Sequence, residues 1–124
     1  MDIRECYDLL GGSYDDVLAR FISEERVKKF LLRFPEDKTF CELAAAVDHL
    51  DYTTAFRCAH TLKGICANLG FDRLCASSSA LTELLRDKTA EDADVRAINT
   101  LWESVALDYK SITDAIKKYA EAQS

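Results

Sequence analysis

Apolar residues recur every three or four positions along most of the chain, and this spacing predicts amphipathic α-helices from one end to the other. The clearest run lies near the C-terminus, where the apolar positions are Val95, Ile98, Leu101, Trp102, Val105, Tyr109, Ile112 and Ile116. Thr89, with Asp92 three residues later, is expected to open this last helix. At 1.5 Å per residue its predicted length is about 35–40 Å.

Shorter helices are predicted at the N-terminus, on either side of the pair Gly11-Gly12. The first covers about Ile3 to Leu10. Ser13 can cap the second, with Asp16 three residues on, as in a weaker form of the capping box. The apolar positions of this second helix are Val17, Leu18 and Phe21.

Two more helices are predicted before the middle of the chain. Ser23 caps the first of them and Pro35 stops it; its apolar face is Val27, Phe30, Leu31 and Phe34. The next helix follows Asp37 and carries Phe40, Leu43, Ala44, Val47 and Leu50. We expect four of the aromatic side chains to lie in the core at helical spacing: Phe30, Phe34, Trp102 and Tyr109.

A helix capped by Asp51 runs to about Leu69, where Gly70 ends it in the manner of a C-terminal glycine. Asp72 begins another helix, whose inward positions are Leu74, Leu81, Leu84 and Leu85. Four substantial amphipathic helices with short connections predict an all-α fold. The expected architecture is an antiparallel four-helix bundle with short additional N-terminal helices, and residues 1–124 form a single domain.

Composition agrees with this prediction. The 124 residues suit one domain, and only four glycines and one proline are available for tight turns, which argues against sandwiches, barrels and α/β folds. The net charge of −6 disfavours nucleic acid and anionic membranes as partners, since both need a clustered basic surface. The longest apolar run, Leu43 to Val47, cannot span a bilayer, so no membrane insertion is expected.

Cysteine usage and the N-terminus both favour a cytoplasmic protein. The five cysteines are odd in number and form no CxxC pair or zinc-site spacing, so small buried thiols in a reducing cell are expected. The first residues lack the basic-then-apolar pattern of a signal peptide. The starting Met1 favours a separate chain over a piece of a hybrid sensor kinase, and a monomer is expected.

The helix from Asp51 to Leu69 carries the most information about function. Its core stripe is Ala55, Ala59, Leu62, Cys66 and Leu69, spaced 4, 3, 4 and 3. His60 points away from that stripe, and Gly64 and Ala67 follow it on the same outward face. Lys63 lies on the flank, and Phe56 adds an apolar rim one turn earlier. A glycine within a helix costs about 0.5–1 kcal/mol relative to alanine, so Gly64 suggests that something approaches this surface closely.

An outward histidine of this kind suits one chemistry in particular. Imidazole titrates near neutral pH and is a nucleophile in its neutral form. A general base would need an orienting carboxylate and a substrate cavity, which the outer face of a bundle does not offer. A nucleophile that receives a group held by another protein needs reach, a flat surface and a balancing positive charge. His60, Gly64 and Lys63 meet these requirements for a phosphoryl group.

Residues 60–64 read HTLKG, and Gly70 follows ten residues after the histidine. This resembles the HxLKG(x5)G signature of histidine-containing phosphotransfer (HPt) domains, and the helix order and length extend the resemblance over most of the chain. The resemblance implies a four-helix bundle with a reversibly phosphorylated histidine. The chain would then be a phosphocarrier of a two-component phosphorelay, and the absence of any ATP-binding loop indicates no kinase activity of its own.

The resemblance also assigns roles to individual residues. His60 would be the phosphoacceptor, through Nε2, Lys63 the charge partner of the phosphoryl group, and Gly64 the clearance for a receiver domain. Surface contacts with the receiver would come from Phe56, Arg57, Ala67 and Asn68. The partners implied are response-regulator receiver domains and a hybrid sensor histidine kinase. The chain would need no cofactor of its own, because the receiver would supply Mg²⁺ and most of the transition-state stabilisation.

Two other functions remain open at this point. One is an HPt-like adaptor that binds receivers without carrying phosphate. The other is a small enzyme with Cys58 or Cys66 as nucleophile, which the core position of Cys66 disfavours. His49 lies near a helix end beside acidic residues, where the helix dipole favours a cation. A metal site that joins His49, His60 and a cysteine lacks helical ligand pairs, so no metal site is expected.

Overall fold

The computed structural model describes residues 1–89, 91 and 93–123, all of them helical, in turns or in loops, with no strand among them. The helices are α1 (Ile3–Leu10), α2 (Tyr14–Phe21), α3 (Glu24–Arg33), α4 (Thr39–Asp48), α5 (Tyr52–Leu69), α6 (Asp72–Leu85) and α7 (Val95–Gln123). A short 3₁₀ helix, Phe34–Glu36, follows α3 and contains Pro35. The predicted all-α fold is confirmed.

Helices α4 to α7 form the bundle, and each packs on the next along the chain. Short connections separate α4 from α5 and α5 from α6, so these neighbours run antiparallel. Phe40 joins α4 to α7, the first and last helices of the bundle. Its ring stacks on two rings of α7, with centroid distances of 3.7 Å to Tyr109 and 5.2 Å to Trp102. At the outside, α1 packs on α7 and α2 contacts α5.

Polar caps set the start of several helices where the sequence predicts them. The side chains of Ser13, Ser23 and Asp51 accept hydrogen bonds from the backbone N–H groups three residues on. Gly11 and Gly70 end their helices in the left-handed conformation. These caps fix the rotational phase of each helix, and therefore which residues it buries.

The core follows the predicted apolar faces with a few exceptions. Buried side chains from all of the helices meet in one cluster. Its fully buried members include Tyr7, Leu10, Leu31, Leu43, Leu62, Phe71, Leu74, Leu81, Ile98, Ile112 and Tyr119. Phe34 is buried as predicted, whereas Trp102 and Tyr109 are half-buried against the edge of the core. Within the described residues no helix is long and apolar enough to cross a membrane.

Three predicted core positions are wrong. Phe30 is 42% exposed, because α3 buries only the narrow stripe of Val27 and Leu31, and Phe30 rests on the ring of Phe21 instead. Leu50 lies beyond the end of α4 and is exposed. Val95 sits in the first turn of α7, where it is also exposed.

The backbone conformation of Leu50 explains the tight turn between α4 and α5. Its φ is 58°, in the left-handed region that a helix-terminating residue commonly adopts. The backbone N–H of Asp51 donates to the carbonyl of Ala46 and that of Leu50 to the carbonyl of Val47. The chain thereby turns directly from the end of α4 into the Asp51 cap of α5.

The last helix begins later than predicted and is longer. It starts at Val95, and Asp94 accepts the hydrogen bond of the Ala97 N–H at 3.1 Å. The predicted opening at Thr89 is therefore wrong, and its partner Asp92 lies outside the described residues. With 29 residues, α7 is about 43 Å long at the usual helical rise.

Candidate functional site

Helix α5 has a buried face and an exposed face, and the position of its N-terminal cap decides which residues lie on each. The predicted core stripe is buried throughout, from Ala55 to Leu69. Asp51 caps the helix by accepting a hydrogen bond from the Thr54 N–H at 3.2 Å. The pKa of the Asp51 carboxyl is lowered by the Thr54 hydroxyl and, to a smaller extent, by this backbone hydrogen bond. With this phase, His60 points into solvent.

The imidazole of His60 has an aromatic neighbour one turn earlier. Phe56 is half-buried, and its ring lies 6.2 Å from the His60 ring, nearly parallel at 12°. The side of the histidine that faces the N-terminus of α5 is therefore apolar. The rest of the ring is free to meet a group held by another molecule.

The surface beyond His60 is bare backbone. A Cβ built on Gly64 would have no heavy atom of another part of the protein within 4 Å. Ala67, one turn further, is exposed and small. His60, Gly64 and Ala67 thus form an open strip along α5, which we call the His60 face.

Lys63 lies at the edge of the His60 face and is half-buried. Its backbone carbonyl is contacted by the thiol of Cys75 on α6 at 3.9 Å, so α6 packs directly beneath it. Arg57 is exposed and donates to the hydroxyl of Thr54 at 3.4 Å. The structure therefore gathers His60, Lys63, Gly64 and Phe56 in one place, with Arg57 toward the start of the helix.

The C-terminal end of α5 is held by the N-terminal helices. The hydroxyl of Tyr7 donates to the carbonyl of Leu69 at 2.8 Å. Arg20 of α2 donates to the carbonyls of Ala67, at 3.0 Å, and of Asn68. These bonds satisfy carbonyls that have no partner within the helix. Asn68 itself is exposed next to this contact.

Helix α6 adds an ion pair that the sequence did not single out. Glu83 accepts two hydrogen bonds from Arg86, and the Arg86 guanidinium lies over the Phe56 ring, 5.1 Å from its centroid. Arg86 is the main cause of a lowered pKa of Glu83, and the charges of Lys63 and His60 lower it further. The spacing of Glu83 and Arg86 indicates a helical pair, but the sequence does not show that α6 turns it toward His60.

The two cysteines considered as nucleophiles are not exposed beside His60. Cys58 and Cys66 are buried, and burial raises the pKa of both thiols, which keeps them protonated. Cys6 is also buried, whereas Cys75 is only half-buried. Cys41 is exposed, so the expectation of a buried thiol is wrong there, because α4 turns this position away from the core.

His49 stands apart from the His60 face in its local structure. It is the exposed residue that ends α4, and its Nδ1 lies 2.7 Å from the carbonyl of Ala45, where it helps to cap the helix. Among the described residues there is no group of three or more His, Cys, Asp or Glu side chains that could hold a metal ion.

The comparison with known families agrees with the fold and with the HTLKG motif. The family model described as "Hpt domain" matches residues 26–119, which is more than half of the chain. The protein therefore belongs to the Hpt domain family, whose members are phosphocarriers that act with response-regulator receiver domains in phosphorelay signal transduction. The chain matches no curated protein and no solved structure.

Proposed function

We propose that the protein is a histidine phosphocarrier, in which His60 accepts a phosphoryl group from the aspartyl phosphate of a receiver domain and passes it on. The observation that carries this proposal is the exposed imidazole of His60, followed on the same helix face by the open surface over Gly64. Membership of the Hpt family supports the reaction, and the geometry of α5 supports His60 as the residue that accepts the phosphoryl group.

The transfer step requires only groups that the two surfaces provide. The lone pair of the neutral His60 Nε2 attacks phosphorus and forms the N–P bond. The bond between phosphorus and the carboxyl oxygen of the receiver's aspartyl phosphate breaks, and its electron pair leaves on that oxygen, which restores the aspartate carboxylate. The reverse step returns the phosphoryl group to an aspartate, so one surface serves both donor and acceptor.

Residues on the His60 face and around it would position the receiver and balance the charge of the phosphoryl group. Lys63 lies one turn from His60 on the flank of α5, and its flexible ammonium would pair with the phosphoryl oxygens. Gly64 and Ala67 leave room for the receiver's approach, while Phe56, Arg57 and Asn68 would make contacts around it. Mg²⁺ would be held by the receiver, and the phosphocarrier would need no cofactor or kinase site of its own.

The proposed setting is a cytoplasmic phosphorelay. The partners are response-regulator receiver domains, with a hybrid sensor histidine kinase upstream, and the phosphocarrier acts as a monomer and as one domain over residues 1–124. Five free cysteines suit a reducing compartment. The contacts of Tyr7 and Arg20 with the end of α5 support one domain, because they join the N-terminal helices to the helix that carries His60.

Transfer of radiolabelled phosphate from purified phosphorylated receivers tests the proposal. Acid-labile, base-stable label is expected on the protein, to be lost in His60→Gln and retained in His49→Gln, which replaces the other histidine of the sequence. Absence of transfer from every cognate receiver, with the helical fold intact, would overturn the phosphocarrier function. Receiver binding without any label would instead identify the non-phosphorylated adaptor.

A further inference from the structure

An ion pair at the C-terminal end of α6 lies against the aromatic neighbour of the proposed phosphoacceptor. Arg86 donates to the carboxylate of Glu83 through Nη2 at 2.9 Å and through Nε at 3.2 Å, a two-pronged arrangement. The side chains are 49% and 61% exposed for Arg86 and Glu83, respectively. Such exposed pairs contribute little to stability, so a competing anion can separate them at small cost.

Phe56 connects this ion pair to His60. Its ring contacts the Arg86 guanidinium at 5.1 Å and lies nearly parallel to the His60 ring at 6.2 Å. An arginine side chain has several rotatable bonds, and a phosphoryl group on Nε2 would extend outward from the imidazole. Arg86 therefore lies on the aromatic side of the site, and rotation about its side-chain bonds would carry the guanidinium toward the phosphoryl oxygens.

Glu83 also interacts electrostatically with the site. After Arg86, electrostatic interaction with Lys63 and His60 also lowers the pKa of the Glu83 carboxyl. A phosphoryl group on His60 would add negative charge on this side of Glu83. Glu83 would then face a dianion in place of an imidazole, and the two negative groups would repel each other.

We propose that Glu83 and Arg86 form an exchangeable ion pair, in which Arg86 leaves Glu83 for the phosphoryl group when His60 is phosphorylated. This proposal rests on the phosphoacceptor function of His60. The phosphoryl group carries more negative charge than a carboxylate and offers three oxygens, so it competes well for a guanidinium. Arg86 stabilises the phosphorylated state, whereas Glu83 raises its free energy and favours onward transfer.

The two side chains consequently have opposite effects on the phosphorylated state. Glu83→Gln removes the repulsive charge and releases Arg86, and it should slow hydrolysis of phosphohistidine by about threefold to tenfold. Arg86→Gln should accelerate hydrolysis to a similar degree. In the double variant the effect of Glu83→Gln should shrink, because part of that effect acts through the freed arginine.

Potassium phosphoramidate provides a test that does not depend on any receiver. This small phosphoryl donor transfers its phosphoryl group to histidine and releases ammonia. The intact protein is treated with it, the label on His60 is checked against His60→Gln, and hydrolysis is followed by loss of the phosphohistidine signal in ³¹P NMR. The ¹⁵N resonance of Arg86 Nε, assigned by its loss in Arg86→Gln, is recorded before and after phosphorylation.

The proposal predicts that the Arg86 Nε resonance shifts on phosphorylation and does not shift in His60→Gln. Asp114→Asn is the matched control, since it breaks the exposed pair Lys110–Asp114 on α7 and should leave hydrolysis unchanged. The proposal is wrong if the Arg86 resonance stays fixed while His60 is phosphorylated, if Glu83→Gln hydrolyses at the rate of Asp114→Asn, or if phosphoramidate leaves His60 unlabelled.

Failure of this proposal is distinguishable from failure of the phosphocarrier function. Transfer from receivers to His60 with an unmoved Arg86 would retain the function and remove the exchange. Exchange of Arg86 in the chemically phosphorylated protein, without transfer from any receiver, would do the reverse. Unchanged free energies of unfolding in Glu83→Gln and Arg86→Gln would separate both results from structural damage.

Discussion

Gly12 and Gly70 approach each other so closely that a Cβ built on Gly12 would lie 2.0 Å from the carbonyl oxygen of Gly70. The turn after α1 therefore touches the turn after α5. The Tyr7 hydroxyl and the Arg20 guanidinium bind the last carbonyls of α5 at the same place. The N-terminal helices thus cover the C-terminal end of α5, the helix that carries His60.

This contact predicts different effects of one substitution at two glycines. Gly12→Ala should lower the free energy of unfolding by roughly 2–4 kcal/mol, because backbone has to move to admit the methyl group. Gly64→Ala is the matched control: its methyl group meets open space in a helix, so stability should rise by up to about 1 kcal/mol. Urea unfolding measures both values, and equal effects at the two positions would contradict the close approach.

Gly64 also permits a test of clearance on the His60 face. Gly64→Gln should leave the bundle folded, with a change in stability under about 1 kcal/mol. The larger side chain should nevertheless slow phosphotransfer from a receiver by about tenfold or more, because it displaces the partner from His60. Ala120→Gln, on the exposed side of α7, is the control. Unimpaired transfer in Gly64→Gln would refute the steric function, even with His60 as phosphoacceptor.

Leu50 provides a prediction about the turn before α5. Its left-handed φ of 58° is strained for a side chain with a Cβ, and half of its surface is exposed, so little burial is lost on removal. Leu50→Gly should therefore leave stability unchanged or raise it by about 1 kcal/mol. Leu43→Gly, at a fully buried position of α4, should be severely destabilising in the same urea experiment. A marked loss in Leu50→Gly would show that the exposed side chain is needed for packing.

The buried thiol of Cys6 should make the free energy of unfolding depend on pH in the alkaline range. Burial raises the pKa of its thiol from 9.0 to about 11. Between these values the unfolded chain releases the proton while the folded protein keeps it, so the stabilisation is complete below pH 9 and is lost as pH rises through 11. Relative to Cys6→Ala, the wild type should lose about 2 kcal/mol of unfolding free energy from pH 8 to pH 11. Parallel pH profiles for the two proteins would contradict this prediction.

The sequence predicts the bundle well where a local signal sets the phase of a helix. Ser13, Ser23 and Asp51 are caps in the structure, and the stripe from Ala55 to Leu69 is buried because its cap is correctly placed. For the same reason the outward direction of His60 could be predicted. Its geometry depends on α5 alone.

Features that depend on more than one helix could not be predicted in this way. Phe30 shares the apolar spacing of α3, but which part of that face is covered depends on its neighbours. Glu83 and Arg86 lie at the exposed C-terminal end of α6, and only the packing of α6 on α5 brings Arg86 to Phe56. Arg20 likewise binds the carbonyls of Ala67 and Asn68, which are distant in sequence, and no periodic pattern predicts such a contact. The sequence thus locates the histidine, while the charges around it come from tertiary structure.

The closure of α5 by residues near the N-terminus has a consequence for the order of folding. The hairpins α4–α5 and α5–α6 use contacts between neighbours in sequence, which form at low entropic cost. The Gly12–Gly70 contact joins distant parts of the chain and is expected to form after the folding transition state. Gly12→Ala should then accelerate unfolding and leave the refolding rate nearly constant. Helices α1 and α2 would then be the last elements of this domain to take their native positions.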